Sequence, residues 1–343
     1  MVENRPALED WRRLYDATIA VKALAPWQWM AETDVFGVRD PETDELGFAS
    51  VMGALGEHYS VAVYIGARGL YDFWRFEDAG PSAPAESLVE IRHLQASFED
   101  RNQLHDKDRQ IIKKLGLKFR GRQEWPMFRS YRPGYFPWFL EAQEVRFLAA
   151  VLEQVLDVTP RCKENPALLQ PSGHDDYLTR VPHRENEDTY WEDTILSVPP
   201  PGPQPIRLTI DFQALEKLRQ APPRWMDVEI DFFMLPTPVQ NKRGDRPYFP
   251  YKLLVVEAHN GFVLGGDLLE PAPSLEAMWG SIPSHLVQLF ARIGVLPGEV
   301  TVRSELLFQI LQPLAEELRF RLRQSDVLIQ LDAAKEFMLQ RFY

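Results

Sequence analysis

Three carboxylates alternate in "MDVEIDFF", namely Asp227, Glu229 and Asp231, and a fourth, Glu257, closes the next apolar run. Residues two apart on a strand share a face, so the three are placed to converge on Mg²⁺, a hard cation that takes oxygen ligands and activates water. A Mg²⁺-dependent nuclease is one expectation. The same alternation is also the acidic solvent face of a half-buried antiparallel strand, which needs no metal.

A second group is cationic. Lys113, Lys114, Lys118, Arg120, Arg122, Arg129 and Arg132 lie close together, with Trp125, Phe128, Tyr131 and Tyr135 interleaved. Cations neutralise phosphates, and aromatic faces stack on unpaired bases, so this stretch is the expected surface for nucleic acid or another polyanion. Its other reading is an edge strand protected from aggregation by charge, with the aromatics in the core. In "PWQWM", Trp27 and Trp29 either flank a cation or pack in the core or at a domain interface.

Charge distribution favours a local anionic partner over general nucleic-acid coating. The chain carries 50 acidic and 38 basic residues, a net charge of −12. Arg101 to Arg132 holds ten Lys or Arg against three Asp or Glu, a local +7 that leaves −19 elsewhere. The single Cys162 excludes an intrachain disulfide and points to a reducing cytoplasm. The seven histidines are scattered, and no His-Glu-x-x-His helix or cysteine pair marks a zinc site. "GHDD" at 173 to 176 has residue types that can touch a metal, but reads more simply as polar linker. There is no phosphate-cradling glycine loop and no Gly-x-Ser-x-Gly elbow, so no cofactor is evident beyond Mg²⁺ under the nuclease reading. No stretch reaches the ~18 apolar residues of a membrane span, and acidic residues interrupt the N-terminal apolar positions, unlike a signal peptide. A soluble, cytoplasmic protein with no membrane partner is the expectation.

The elements that must position these residues follow from periodicity. Leu8, Trp11, Leu14, Tyr15, Thr18 and Ile19 recur at helical spacing, so residues 7–24 form a helix that Pro26 ends. Strands are predicted at 35–39, 47–53 and 58–65, joined by turns too short for anything but antiparallel pairing. Helices around 68–76 and 86–92, a strand in "HLQASFED", a helix in "KDRQIIKKLGL", a strand at "LKFRGR" (117–122) and a helix at 141–156 complete a first domain, 1–160. Residues 161–205, ending "VPPPGPQP", read as an irregular connector.

A second domain, 206–343, begins with a strand at "IRLTIDF" and a short helix. Strands in "MDVEIDFFML", "YKLLVVEAHNG" and "FVLGGDLL" follow, then helices at 274–280 and 284–293. A strand at "GEVTVRS", a helix at "ELLFQILQPLAEEL", a strand at "LRFRLR" (318–323) and a helix at 331–342 end the chain. "LKFRGR" and "LRFRLR" stand 201 positions apart, so each half reads β-β-β-α-β-α-β-α, a candidate internal duplication. The fold class is α+β, and the element order resembles that of ribonuclease-H-like folds. A nuclease of that type would place an acid on its first strand and another at the end of its fourth. Glu305 in "VRSE" and Glu99 and Asp100 in "SFED" fall near the second place, but neither half supplies both.

"PWQWM", "DVFGVRDPETDELGFASVMGALGEHYSVAVYIGARGL" and "PMFRSYRPGYFPW" resemble an uncharacterised bacterial family that joins two domains of unknown function, the second similar to residues 226–343. The resemblance implies a two-domain bacterial protein and brings no substrate, cofactor or catalytic residue. Three functions remain open from the residues: a binding module for an anionic partner, a Mg²⁺-dependent nuclease, and a protein-binding adaptor.

Overall fold

The computed structural model describes residues 5–80, 87–170, 173–185, 188–220, 222 and 224–340. The chain forms two compact units. The first takes in residues up to 133 and 137–202, and the second comprises 134–136 and everything from 203.

In the first unit, α1 (Leu8–Leu24) opens with Asp10 accepting the Ala7 N–H and closes where Ala25 turns left-handed ahead of Pro26. The meander β1 (Phe36–Arg39), β2 (Leu46–Met52) and β3 (Ser60–Ile65) follows, all antiparallel. Next come α2 (Gly66–Ala79), the short α3 (Ser87–Glu90) and β4 (His93–Glu99). The predicted loop and helix start between Pro81 and Glu86 lie outside the described residues. Then α4 (Asp106–Lys114), β5 (Trp125–Tyr131) and α5 (Ala142–Glu164) lead to the hairpin β6 (Asp176–Glu185) and β7 (Asp188–Ser197). The sheet order is β5-β4-β3-β2-β1-β6-β7, with only the β1–β6 pair parallel among its described pairings. All six residues of β3 are buried, because α1 and α5 cover one face of the sheet while Leu70 and Phe73 of α2 cover the other.

Three sequence expectations change here. Residues 176–185 and 188–197 are not a connector: they are the sixth and seventh strands of the first sheet, and α5 continues through Pro160 to Glu164. Its prolonged end is held by the Trp29 indole, which donates to the Thr159 carbonyl at 2.9 Å. "LKFRGR" is not a strand either. Gly116 and Gly121 take φ of +69° and +108°, and Gln123 of +53°, left-handed conformations that interrupt a strand. The segment is a loop between α4 and β5.

The second unit holds α6 (Phe212–Gln220), β8 (Trp225–Met234), β9 (Tyr251–Glu257), β10 (Val263–Gly265) and β11 (Leu268–Leu269). These are followed by α7 (Leu275–Ile293), β12 (Leu296–Val302), α8 (Glu305–Leu318), β13 (Arg321–Gln324) and α9 (Ile329–Leu339). "IRLTIDF" is irregular chain and not a strand, with Thr209 donating to the Gly280 carbonyl. The two helices expected at 274–293 are one, since Pro283 stands inside α7. The end of the last expected helix, 341–342, lies outside the described residues.

Its sheet runs β10-β9-β8-β12-β13, with β8, β12 and β13 parallel and β9 antiparallel to β8. Here β12, the strand after α7, joins β8, the first strand of the unit, the arrangement that right-handed helical crossovers produce. In the first unit β4 instead joins β3 at the opposite edge of the meander. The two units therefore share an element order but not a sheet, and "LRFRLR", part of which is β13, has no strand counterpart in "LKFRGR". The expected pairing of the two segments as equivalent strands does not hold.

His93 on β4 is buried, donates its Nδ1–H to the Ile91 carbonyl at 2.9 Å and stacks on Tyr131 at 3.9 Å. Burial pushes its pKa from the ordinary 6.5 down to about 4. An unfolded chain then binds a proton that the fold refuses, so stability is lost as pH falls from about 6.5 to about 4, by up to ~3 kcal/mol. Urea denaturation across that range should show the loss, and His93→Phe should flatten it. An unchanged slope in that variant would put the pH dependence elsewhere.

Candidate functional site

The loop and helix of the cationic stretch enclose an open groove of about 640 Å³ in the first unit. α4 contributes Arg109 and Lys113, and the following loop contributes Lys118, Phe119 and Arg120. Arg101 and Trp125 line it from the turn after β4 and the start of β5. α4 forms because His105 accepts the Lys107 N–H while Asp108 reaches back to the His105 N–H at 2.9 Å. Leu117 and Phe119 turn inward onto the core, leaving Lys118 and Arg120 exposed. The alternation seen in the sequence is real, then, but it belongs to an irregular segment.

The seven predicted cations separate into two classes. Lys113, Lys118 and Arg120 line the groove, and Lys114 is exposed on the same helix. Neither these four nor Arg101 forms an ion pair among the described residues. Arg122 is exposed, 3.8 Å from Asp100. Arg129 and Arg132 are not available. Arg129 makes a two-pronged pair with Asp108 at 2.7 and 3.0 Å, both side chains largely buried. Arg132 meets Glu141 at 2.8 Å and Glu144 at 3.0 Å beside a separate cavity of about 150 Å³. Sequence reasoning did not single out Arg101 and Arg109, although both fall inside the basic stretch. Arg109 pairs with Asp106, the acid that lines the groove. Tyr135 belongs to the second unit, where it forms a bridge with Tyr248.

The structure does not bring the four carboxylates together. Asp227 accepts the Glu299 N–H at 2.9 Å, and Glu229 accepts the Leu331 N–H at 2.7 Å in the first turn of α9. Asp231 is buried, accepts the Phe232 N–H, and faces Arg303 at 3.4 Å and Lys335 at 3.9 Å. Glu257 caps its own turn, taking the His259 and Asn260 N–H groups at 3.1 and 2.6 Å. Among the described residues no group of three or more His, Cys, Asp or Glu is placed to hold a metal ion. Just past the end of β12 stands Arg303, which binds Asp332 of α9 at 2.6 Å as well as Asp231. Burial pushes the Asp231 pKa up, against the pull of Lys335 and Arg303.

Residues 11–180 match the family model of the domain of unknown function DUF7309, and residues 214–339 match that of a second, DUF6930. The chain joins these two domains of unknown function. No curated protein and no solved structure matches it. The groove lies wholly within the DUF7309 match, and the Asp231 cluster within the DUF6930 match. No helix among the described residues is long and apolar enough to cross a membrane.

The loop that follows α4 is tied down by a lysine that the sequence did not single out. Lys22 of α1 sits 4.7 Å from the ring centres of Tyr59 and Phe98 and 5.6 Å from that of Trp27. Its Nζ donates to the Gln123 carbonyl at 2.8 Å. Desolvation lowers its pKa, with Glu124 at 3.7 Å opposing the shift. Gln123 in turn donates its N–H to Asp100 at 2.8 Å and its amide to the Glu57 carbonyl at 2.7 Å, and Arg12 donates to the Leu115 carbonyl. The loop is tied at both ends. Trp27 thus flanks a cation, as the "PWQWM" motif allows, and that cation is the protein's own. Trp29 stands likewise beside Lys163, at 4.5 Å.

Two outcomes test this geometry. Lys22→Met keeps the apolar stem and removes the charge, and should cost about 1–3 kcal/mol by thermal or urea unfolding, with faster proteolysis within residues 115–124. Stability within ~0.3 kcal/mol of the unaltered chain would show the tie to be idle. In the DUF6930 domain, Arg303→Met strands Asp231 and should cost about 2–4 kcal/mol, whereas Asp231→Asn should cost less than ~1. A rise in Tm on adding Mg²⁺ that Asp231→Asn abolishes would instead restore a metal role.

Proposed function

We propose that the DUF7309 domain is a binding module for a phosphate-bearing polyanion, held in the groove between α4 and β5. The observation that carries this reading is the concentration of Arg101, Lys113, Lys118 and Arg120 around one open groove, with no carboxylate partners of their own among the described residues. Like charges gathered without counterions repel one another and destabilise a fold. The arrangement becomes favourable when an anion supplies the missing charge. The net charge of −12 sharpens the point, because most of the surface would repel the same ligand and so direct it to the groove. Arg122 and Lys114 extend the positive field beyond the rim.

Binding of this kind depends steeply on salt. Neutralising about four phosphates of a flexible chain gives a slope of log K against log salt near −3. Fluorescence anisotropy of a labelled polyanion at several salt concentrations should give that slope. The combined change Lys113→Ala, Lys118→Ala and Arg120→Ala should weaken binding roughly 10- to 100-fold, and Arg243→Ala, at an exposed cation of the DUF6930 domain, should not. Binding that is absent, or indifferent to salt, overturns the reading.

A further inference from the structure

We infer that the ligand of this groove is single-stranded nucleic acid, one of whose bases stacks on Trp125. The inference rests on the polyanion reading above and adds to it the class of ligand. A groove that only holds phosphates needs cations and donors, and an aromatic ring in its wall adds nothing to that task. Yet Trp125 and Phe119 both line it, their ring centres 5.8 Å apart at 59°. Phe119 is the deeper support: it packs on the core and stacks on Tyr15 at 6.3 Å. Trp125, at the edge of the sheet, is only partly buried.

The Arg101 guanidinium lies 5.8 Å from the centre of the Trp125 ring. This side chain is exposed and free of ion pairs among the described residues, so it can give up the ring to an incoming base and take a phosphate instead. Lys113 on α4 and Lys118 and Arg120 on the loop then supply charge to the neighbouring phosphates. Cations beside an aromatic platform are the combination that recognises an unpaired strand, since every base offers a π-face and only an unpaired one can present it. A duplex keeps its bases within the stack and would meet the cations alone. A volume of about 640 Å³ is within the range of sites that enclose a drug-sized molecule, which suits a short stretch of flexible strand.

Three labelled probes of matched length separate the outcomes: an oligo-dT strand, the same backbone made abasic, and a duplex, with inorganic polyphosphate as competitor. The unaltered protein should bind oligo-dT roughly 10-fold more tightly than the abasic strand, since a stacked base contributes 1–3 kcal/mol. Trp125→Leu should remove that preference while leaving abasic-strand and polyphosphate affinity unchanged. Equal binding of oligo-dT and abasic strand by the unaltered protein overturns the stacking inference and leaves the polyanion reading standing. Tighter binding of the duplex also overturns it. Failure to bind any probe overturns the polyanion reading itself. The comparison of the first two probes needs no variant, so it decides the matter even if Trp125→Leu does not fold.

Discussion

Burial of the central strands on both faces is the constraint from which the first domain follows. With every residue of β3 and most of β2 out of solvent, the sheet must be covered twice, and the chain supplies α1 and α5 for one side and α2 for the other. Fully buried strands have no room for unpaired charge, whose desolvation would cost several kcal/mol. Polar function is therefore pushed to the rim. The β5 edge, the short α4 and its loop are where cations can stand in water while their apolar neighbours still reach the core. Ile112, Leu115, Leu117 and Phe119 do reach it, and they carry Lys113, Lys118 and Arg120 into position.

The same constraint explains which elements the sequence discloses. The β1–β3 meander is legible because short turns and apolar runs agree, and α1 because one helical face is apolar and a proline follows. β6 and β7 are illegible for the opposite reason. β1 pairs with β6 only at Thr179 and Arg180, few residues of the hairpin besides Leu178 and Thr179 are buried, and Pro182 with the scattered charged residues hides its strand character. Alternation misleads at "LKFRGR", since an extended loop pinned to a core by every second residue has the same signature as a strand. Only the glycines at 116 and 121 hint at the difference.

The candidate site is legible in its composition and not in its accounting of partners. A count over residues 101–132 finds the excess of cations but stops short of Glu141 and Glu144, which neutralise Arg132. Asp108 is inside the window, yet nothing in the spacing assigns it to Arg129, 21 positions on, across the space between α4 and β5. Which cations are free is a property of packing. Lys22 is further from reach: its partners Trp27, Tyr59, Phe98 and Gln123 come from four separate places in the chain, and no local pattern unites them.

In the second domain, strand pairing determines what the carboxylates can do. Parallel pairing of β8 with β12 brings the ends of the two strands side by side, so the residue just past β12 is the natural neighbour of Asp231. An acid there would give two converging carboxylates with a demand for a cation. Arg303 occupies the place and meets that demand with a charge already tethered to the chain, and Lys335 adds a second. The consequence is structural. α9 meets the sheet through an apolar cluster of Leu254, Val256, Leu328 and Leu331, with Phe233, Ala334 and Met338 packed against it. Hydrogen-bonded charges are directional where apolar contacts are not. Glu229 holding the first turn of α9, and Arg303 joining Asp231 to Asp332, fix the rotation and register of the helix. A pattern that reads in the sequence as three metal ligands is, in the folded domain, the set of polar contacts that orients the last helix.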